Sequence, residues 1–136
     1  MQLVDPQTLP QEIIKLIDAS KEAQQHAYAP YSKYLVGASV MDENGNIFGG
    51  CNVENAAYLV THAEASAISA MVMGGGKQIK AIACITKDGG SSCGDCRQKT
   101  WEFAKGDTNL PIYLIDESGT IKLTTIGELL PFAFEL

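Results

Sequence analysis

Four residues in this chain have the types and spacing needed to hold a metal ion and move protons. His62 and Glu64 stand two positions apart, and Cys93 and Cys96 form a C-x-x-C pair. Imidazole and thiolate are ordinary zinc ligands. Three of them around a tetrahedral ion leave one position for water, which is the pattern of catalytic rather than structural zinc. Zinc held this way lowers the pKa of water from about 15.7 to about 7, so hydroxide is available at neutral pH. Glu64 is not a ligand in this reading. It can reach the same water and serve as general base, then as general acid.

Each part of this constellation also has a plainer reading. Thr61-x-x-Glu64 matches a capping box, which would make Glu64 a helix-start residue. A C-x-x-C pair can be a thiol redox motif, but such motifs usually open the first helix of a βαβ unit. Here the pair comes late and follows H-x-E. A closed structural zinc site needs a fourth ligand, and Cys51 and Cys84 are the candidates. Both sit in apolar strand-like runs and read as core thiols. His26 lies near a helix end and reads as a surface residue.

Thirty-one positions separate His62 from Cys93, enough for one helix, one strand and one loop. Those elements must bring two helix starts together, where the helix dipole favours thiolate. Residues 61–73 read as one of these helices, ended by Gly74-Gly75-Gly76, and residues 93–105 as the other. Residues 79–86 form a short apolar run typical of a central buried strand, and residues 111–115 form another. Strand, helix and strand then make a right-handed crossover. Upstream, Thr8-Leu9-Pro10-Gln11 reads as a capped helix start. Ile13, Leu16, Ile17, Ala23 and Ala27 share its apolar stripe, and Pro30 breaks it. Residues 34–41 and 46–53 read as strands joined at Asn44-Gly45, a strong hairpin turn. Residues 120–125 read as a last strand, followed by a short helical turn. The expected architecture is a single α/β domain over residues 1–136, a mixed five-stranded sheet covered by helices.

Composition agrees with one small globular domain. The 136 residues are 46% hydrophobic and 19% charged, with a formal net charge of −6 and a pI of about 4.8. That balance disfavours a nucleic-acid polymer as partner, since backbone binding needs clustered Lys and Arg. Residues 1–10 carry no basic group and no apolar run, so no signal peptide is visible. No apolar stretch approaches the ~20 residues of a membrane helix. The expected location is the cytoplasm.

Several further segments extend the pattern. They are Ala29-Pro30-Tyr31-Ser32-Lys33-Tyr34, Gly50-Cys51-Asn52-Val53-Glu54-Asn55, and Cys93-Gly94-Asp95-Cys96-Arg97-Gln98. Glu128-Leu129-Leu130-Pro131 and Ala133-Phe134 complete the set. With His62-Ala63-Glu64, these resemble the cytidine deaminase family, specifically its short-chain homotetrameric members. H-x-E with C-x-x-C is itself a known signature of zinc deaminases. The resemblance implies a three-layer α/β/α fold and about one Zn2+ per chain on His62, Cys93 and Cys96. It implies hydrolytic deamination of cytidine and 2′-deoxycytidine. Glu64 would take the proton of water, pass it to the pyrimidine N3, and later protonate the departing amine. Asn52 and Glu54 match the pair that binds the ribose hydroxyls, Tyr34 matches an aromatic of the base pocket, and Ala63 joins the substrate-binding set. Tyr58 and Phe134 match residues that enter a neighbouring subunit's site in a homotetramer.

Three positions depart from the family pattern. His62 stands where short-chain members usually have Cys, and Ala65 where they have Arg. These changes belong together: zinc with three thiolates carries net −1, which Arg can offset, whereas two thiolates and a neutral imidazole leave none to offset. Ser92 replaces a Pro before the first Cys and should loosen that loop. The nearest alternative is a related deaminase of a modified or antibiotic nucleoside, of the blasticidin S type. A catalytically silent zinc-binding subunit is a further alternative, against which the intact Glu64 argues.

Overall fold

The computed structural model of the chain describes Met1–Leu136. In chain order the elements are β1 (Gln2–Val4), α1 (Gln11–Gln24), β2 (Gly37–Asp42), β3 (Ile47–Cys51) and α2 (Ala63–Met73). There follow β4 (Ile79–Ile85), α3 (Gly94–Ala104), β5 (Pro111–Ile115), β6 (Ile121–Thr125) and α4 (Ile126–Leu129). The strands form one sheet in the order β1-β6-β5-β4-β2-β3. Only β4 and β5 pair in parallel, bridged by α3 as the crossover; the other pairs are antiparallel.

Successive side chains of a strand point to opposite faces, and β4 uses both. Ala81, Ala83 and Ile85 join Ile13, Leu16 and Ile17 of α1 in one core. Ile82 and Cys84 join Ala63, Ala67, Ile68 and Met71 of α2, with Ala104 of α3, in the other. The result is the expected three-layer α/β/α fold, but the sheet has six strands rather than five. The additional strand is β1, placed opposite β6 with Gln2 facing Leu123. Three residues are too few to show an alternation, so only the pairing itself defines this strand.

Other differences are local. The buried stripe of α1 continues through Ser20 and Gln24, not Ala23 and Ala27. Both polar groups are satisfied: Ser20 Oγ donates to the Ile17 carbonyl at 2.6 Å and Gln24 Nε2 to that of Leu35 at 3.0 Å. Thr8 does not cap α1. It closes a single 3-10 turn, Pro6–Thr8, and Pro10 occupies the cap position. The strand expected from residue 34 begins only at Gly37. Residues 34–36 are instead held by Asn52, whose Nδ2 donates to the Tyr34 carbonyl at 2.8 Å and whose Oδ1 accepts from Val36 N–H at 2.9 Å. A side-chain amide takes over two bonds that a strand would have supplied.

One glycine sets the position of α2. A Cβ built on Gly50 of β3 would lie 2.3 Å from Ala67 N and 2.6 Å from Ala63 O. Only a residue without a Cβ lets the helix backbone lie this close to the strand. The first turn of α2 thereby sits against the sheet, beside the end of β4.

Candidate metal centre and active site

His62 is the N-cap residue of α2 and Cys93 the N-cap residue of α3. Because α2 precedes β4 and α3 follows it, both helix starts arrive at the same end of that strand. His62 Nδ1 lies 3.2 Å from Cys96 Sγ and 3.3 Å from Cys93 Sγ. The three ligand atoms all lie within 4.8 Å of one another. A tetrahedral ion with bonds of ~2.0–2.3 Å needs nitrogen and sulfur roughly 3.5 Å apart, so the group is close to a binding geometry. Two sulfurs and one imidazole nitrogen, with no fourth protein ligand in the group, fit zinc in an open site. Cys84 is buried nearby but outside the group. Burial, then the charge of Glu64, pushes its thiol well up, so it behaves as the core thiol expected. Cys51 is half-buried on β3, and His26 is exposed.

Burial also pushes the Cys96 thiol up, with the Glu64 carboxylate the next cause. Cys96 N–H donates to Cys93 Sγ at 3.5 Å, so the start of α3 turns a backbone donor toward the first sulfur. Asp95 stands just outside, with Oδ2 4.0 Å from His62 Nδ1. Lys99 Nζ donates to that carboxylate at 2.5 Å, and this bond holds Asp95 below the usual carboxylate range.

Glu64 is the second residue of α2, only 5% exposed, and it lines a cavity of about 300 Å3 with no protein hydrogen-bond partner. The capping-box reading fails on geometry. Thr61 lies before the cap, its backbone paired with Val53, and Glu64 falls one position short of where a box needs it.

The same cavity is lined by Tyr34, Asn52, Glu54, His62, Ala63, Glu64, Cys93 and Cys96. All the site residues expected within one chain therefore converge. Glu54 Oε1 accepts from Tyr31 N–H at 3.0 Å and Ser32 N–H at 3.1 Å. Hydrogen bonding at Ser32 keeps Glu54 below the usual carboxylate range, so it is ionised with its second oxygen free. Asn52 has both ends of its amide engaged and one N–H left over. Tyr58 and Phe134 are not in this cavity: they are 94% and 68% exposed.

Sequence reasoning missed part of the lining, Val60, Thr86 and Ser91; Ser92, noted there only as a departure from the family pattern, is buried in the same wall. It also missed the role of Arg97. Its guanidinium donates to the Ser92 carbonyl at 2.7 Å, the Leu129 carbonyl at 2.8 Å and Ser91 Oγ at 2.8 Å. One signal was available, since Arg97 directly follows the C-x-x-C pair. Thr86, Ser91 and Ser92 reach the cavity only through where the loop after β4 takes them, and Val60 through the segment leading into α2.

Comparison with known proteins agrees with this site. Residues 10–110 match the family model for the cytidine and deoxycytidylate deaminase zinc-binding region. The chain is 44% identical over 126 residues to a cytidine deaminase of Sporosarcina psychrophila, spanning 90% of this chain and 91% of that one. The crystal structure of cytidine deaminase from Burkholderia pseudomallei matches with a TM-score of 0.83 at 38% identity, covering 93% of this chain and 100% of that one. That of cytidine deaminase from Mycobacterium tuberculosis matches with a TM-score of 0.78 at 32% identity, covering 93% and 100%. Fold and ligand group together define a zinc-dependent deaminase domain. The chain belongs to the cytidine deaminase family.

Proposed function

We propose that the chain hydrolyses cytidine and 2′-deoxycytidine to uridine and 2′-deoxyuridine, releasing ammonia. The observation that carries this reading is the convergence of His62, Cys93 and Cys96 on one cavity with a buried carboxylate that no protein group engages. His62, Cys93 and Cys96 hold zinc, which, when bound, acts as a Lewis acid and makes water acidic enough to ionise near neutral pH. Glu64 takes the proton that the water gives up. It delivers that proton to the ring nitrogen N3, then takes the remaining proton of the hydroxyl now on C4 and passes it to the exocyclic amine, which leaves as ammonia while water's oxygen stays on C4. Glu54 accepts from a sugar hydroxyl through its free oxygen, and Asn52 adds its spare N–H. A site built on such bonds rejects nucleosides that leave its polar groups unpaired. The Tyr34 ring and Ala63 complete the lining.

Neither Tyr58 nor Phe134 lines the cavity of its own chain. Tyr58 has φ 62° and is almost fully exposed. A non-glycine residue is held there at some cost, and Tyr58 opens an exposed apolar run with Leu59 and Val60, the kind of contiguous patch that marks an interaction surface. Tyr58 and Phe134 supply cover to sites of neighbouring copies in a homotetramer.

Ammonia release, followed by ultraviolet absorbance over cytidine, deoxycytidine, cytosine, adenosine and blasticidin S, tests the assignment. Turnover is expected for the first two only. Glu64→Gln should retain zinc and lose at least ~10²-fold in turnover, the scale of general acid–base catalysis. Near-normal turnover by that variant, or exclusive turnover of blasticidin S, would overturn the reading.

A further inference from the structure

We propose that the Tyr34 hydroxyl, acting through Asp88, holds residues 86–92 as a fixed wall of the cavity and so sets how tightly the nucleoside is bound. The proposal rests on the deaminase reading and adds a positioning residue to it. An aromatic ring alone would line the pocket, and a hydroxyl on it needs a partner. Here Tyr34 O–H donates to Asp88 Oδ1 at 2.6 Å, within the short range of charge-assisted O–H···O⁻ bonds. The same oxygen accepts from Thr86 Oγ1 at 3.2 Å and from Gly90 N–H at 3.3 Å, and Gly90 N–H also reaches Thr86 Oγ1 at 2.9 Å. One carboxylate oxygen thus gathers the start, middle and backbone of the segment leaving β4.

Gly90 shows how closely the segment is drawn in. A Cβ there would stand 3.3 Å from both Asp88 Oδ1 and Tyr34 Oη. Beyond it, Arg97 fixes Ser91 and Ser92 from α3. The upstream half is paired to the end of β5, with Thr86 N–H donating to the Ile115 carbonyl at 3.1 Å and Asp88 bridged to Asp116, and its tether to the opposite wall is Tyr34. Tyr34 is itself anchored: its N–H donates to Ser32 Oγ at 3.0 Å and its carbonyl accepts from Asn52. The residue therefore spans from the sugar-binding side to the wall that leads into Cys93. The bond to Tyr34 holds Asp88 below the usual carboxylate range, and burial, then Asp88, holds the phenol up. Donor and acceptor are both in the required form at neutral pH.

The test uses the zinc-loaded enzyme. Tyr34→Phe keeps the ring and removes the hydroxyl, and Asp88→Ala removes the acceptor. Each should raise KM for cytidine about fivefold or more while kcat stays within about twofold. The double variant should be no worse than Asp88→Ala alone, because the hydroxyl acts only through Asp88, whose loss already removes that bond together with those to Thr86 and Gly90. Amide hydrogen exchange in residues 86–92 should quicken about tenfold or more in Tyr34→Phe, with α2 and α3 unchanged. A ring that only packs would leave KM and exchange as they are. Unchanged exchange, unchanged KM in an active variant, or KM increases that multiply in the double variant would each overturn the proposal. Exchange needs no substrate. It decides the tether even if the wild type deaminates no cytidine analogue, a result that would sink the functional reading instead.

Discussion

A carboxylate near a helix start has two common uses, capping the helix or meeting a ligand, and Glu64 is separated from the first by a single residue of register. The cap is His62, so Glu64 falls at the second helical position and turns into the cavity. Sequence spacing alone fits both uses; the strand-like bridge of Thr61 to Val53 decides between them. The ligand group was legible because H-x-E and C-x-x-C are local patterns. Asn52 was legible only in part. Its two bonds to residues 34–36 make it a structural clip as well as a sugar-binding candidate, and nothing in the sequence marks that. The departure at His62 gives a prediction at this scale. Lys99 lines the same groove as Ala65, but Asp95 already pairs with it. A third thiolate would therefore go uncompensated, and excess negative charge weakens the Lewis acidity of zinc. His62→Cys should lower kcat, and adding Ala65→Arg should restore part of the loss. A double variant no better than the single would refute charge compensation.

At the scale of elements, close approach matters more than propensity. Helices α2 and α3, and strands β4 and β5, were expected within a residue or two, because each is a single apolar or motif-bearing run. Strand β1 and the clipped residues 34–36 depend on distant partners and left no local trace. Gly50 carries the sharpest consequence. An added methyl group would meet backbone atoms of α2, which cannot rotate away as a side chain would. Gly50→Ala should destabilise the fold by roughly 1–3 kcal/mol, the usual cost of overpacking. It should also move the first turn of α2 and with it His62, so zinc affinity should fall along with Tm. Thermal unfolding and competitive chelation measure the two effects. Unchanged zinc affinity in a destabilised variant would mean that the first turn holds its place without the glycine.

For the molecule as a whole, the single chain leaves Tyr58, Phe132 and Phe134 exposed, and no helix is long and apolar enough to cross a membrane. The tail is anchored through main-chain and side-chain bonds, with Gln98 Nε2 donating to the Phe134 carbonyl and Trp101 Nε1 to Glu135. The Phe134 ring is thus presented rather than packed. If it covers the base in a neighbouring copy, Phe134→Ala should raise KM about tenfold, within the range of ring-on-base stacking, and leave zinc content unchanged. Specific activity should also fall on dilution in step with dissociation seen by light scattering. A fully active monomer would refute the shared site. None of this could be read from charge or periodicity, because an exposed ring in a tail has no pattern of its own.

The pairing of β1 with β6 also bears on how the chain is made. Gln2–Val4 leave the ribosome long before their partner strand, Ile121–Thr125. Before β6 is made, α1 through β5 can begin to pack, but β5 lacks its neighbour β6 and β1 has nowhere to dock. The edge of the sheet closes only once Ile121–Thr125 has emerged, and such long-range pairings are the slow ones to form. Until then the outer edge of β5 is an unpaired strand, open to pairing with another nascent copy.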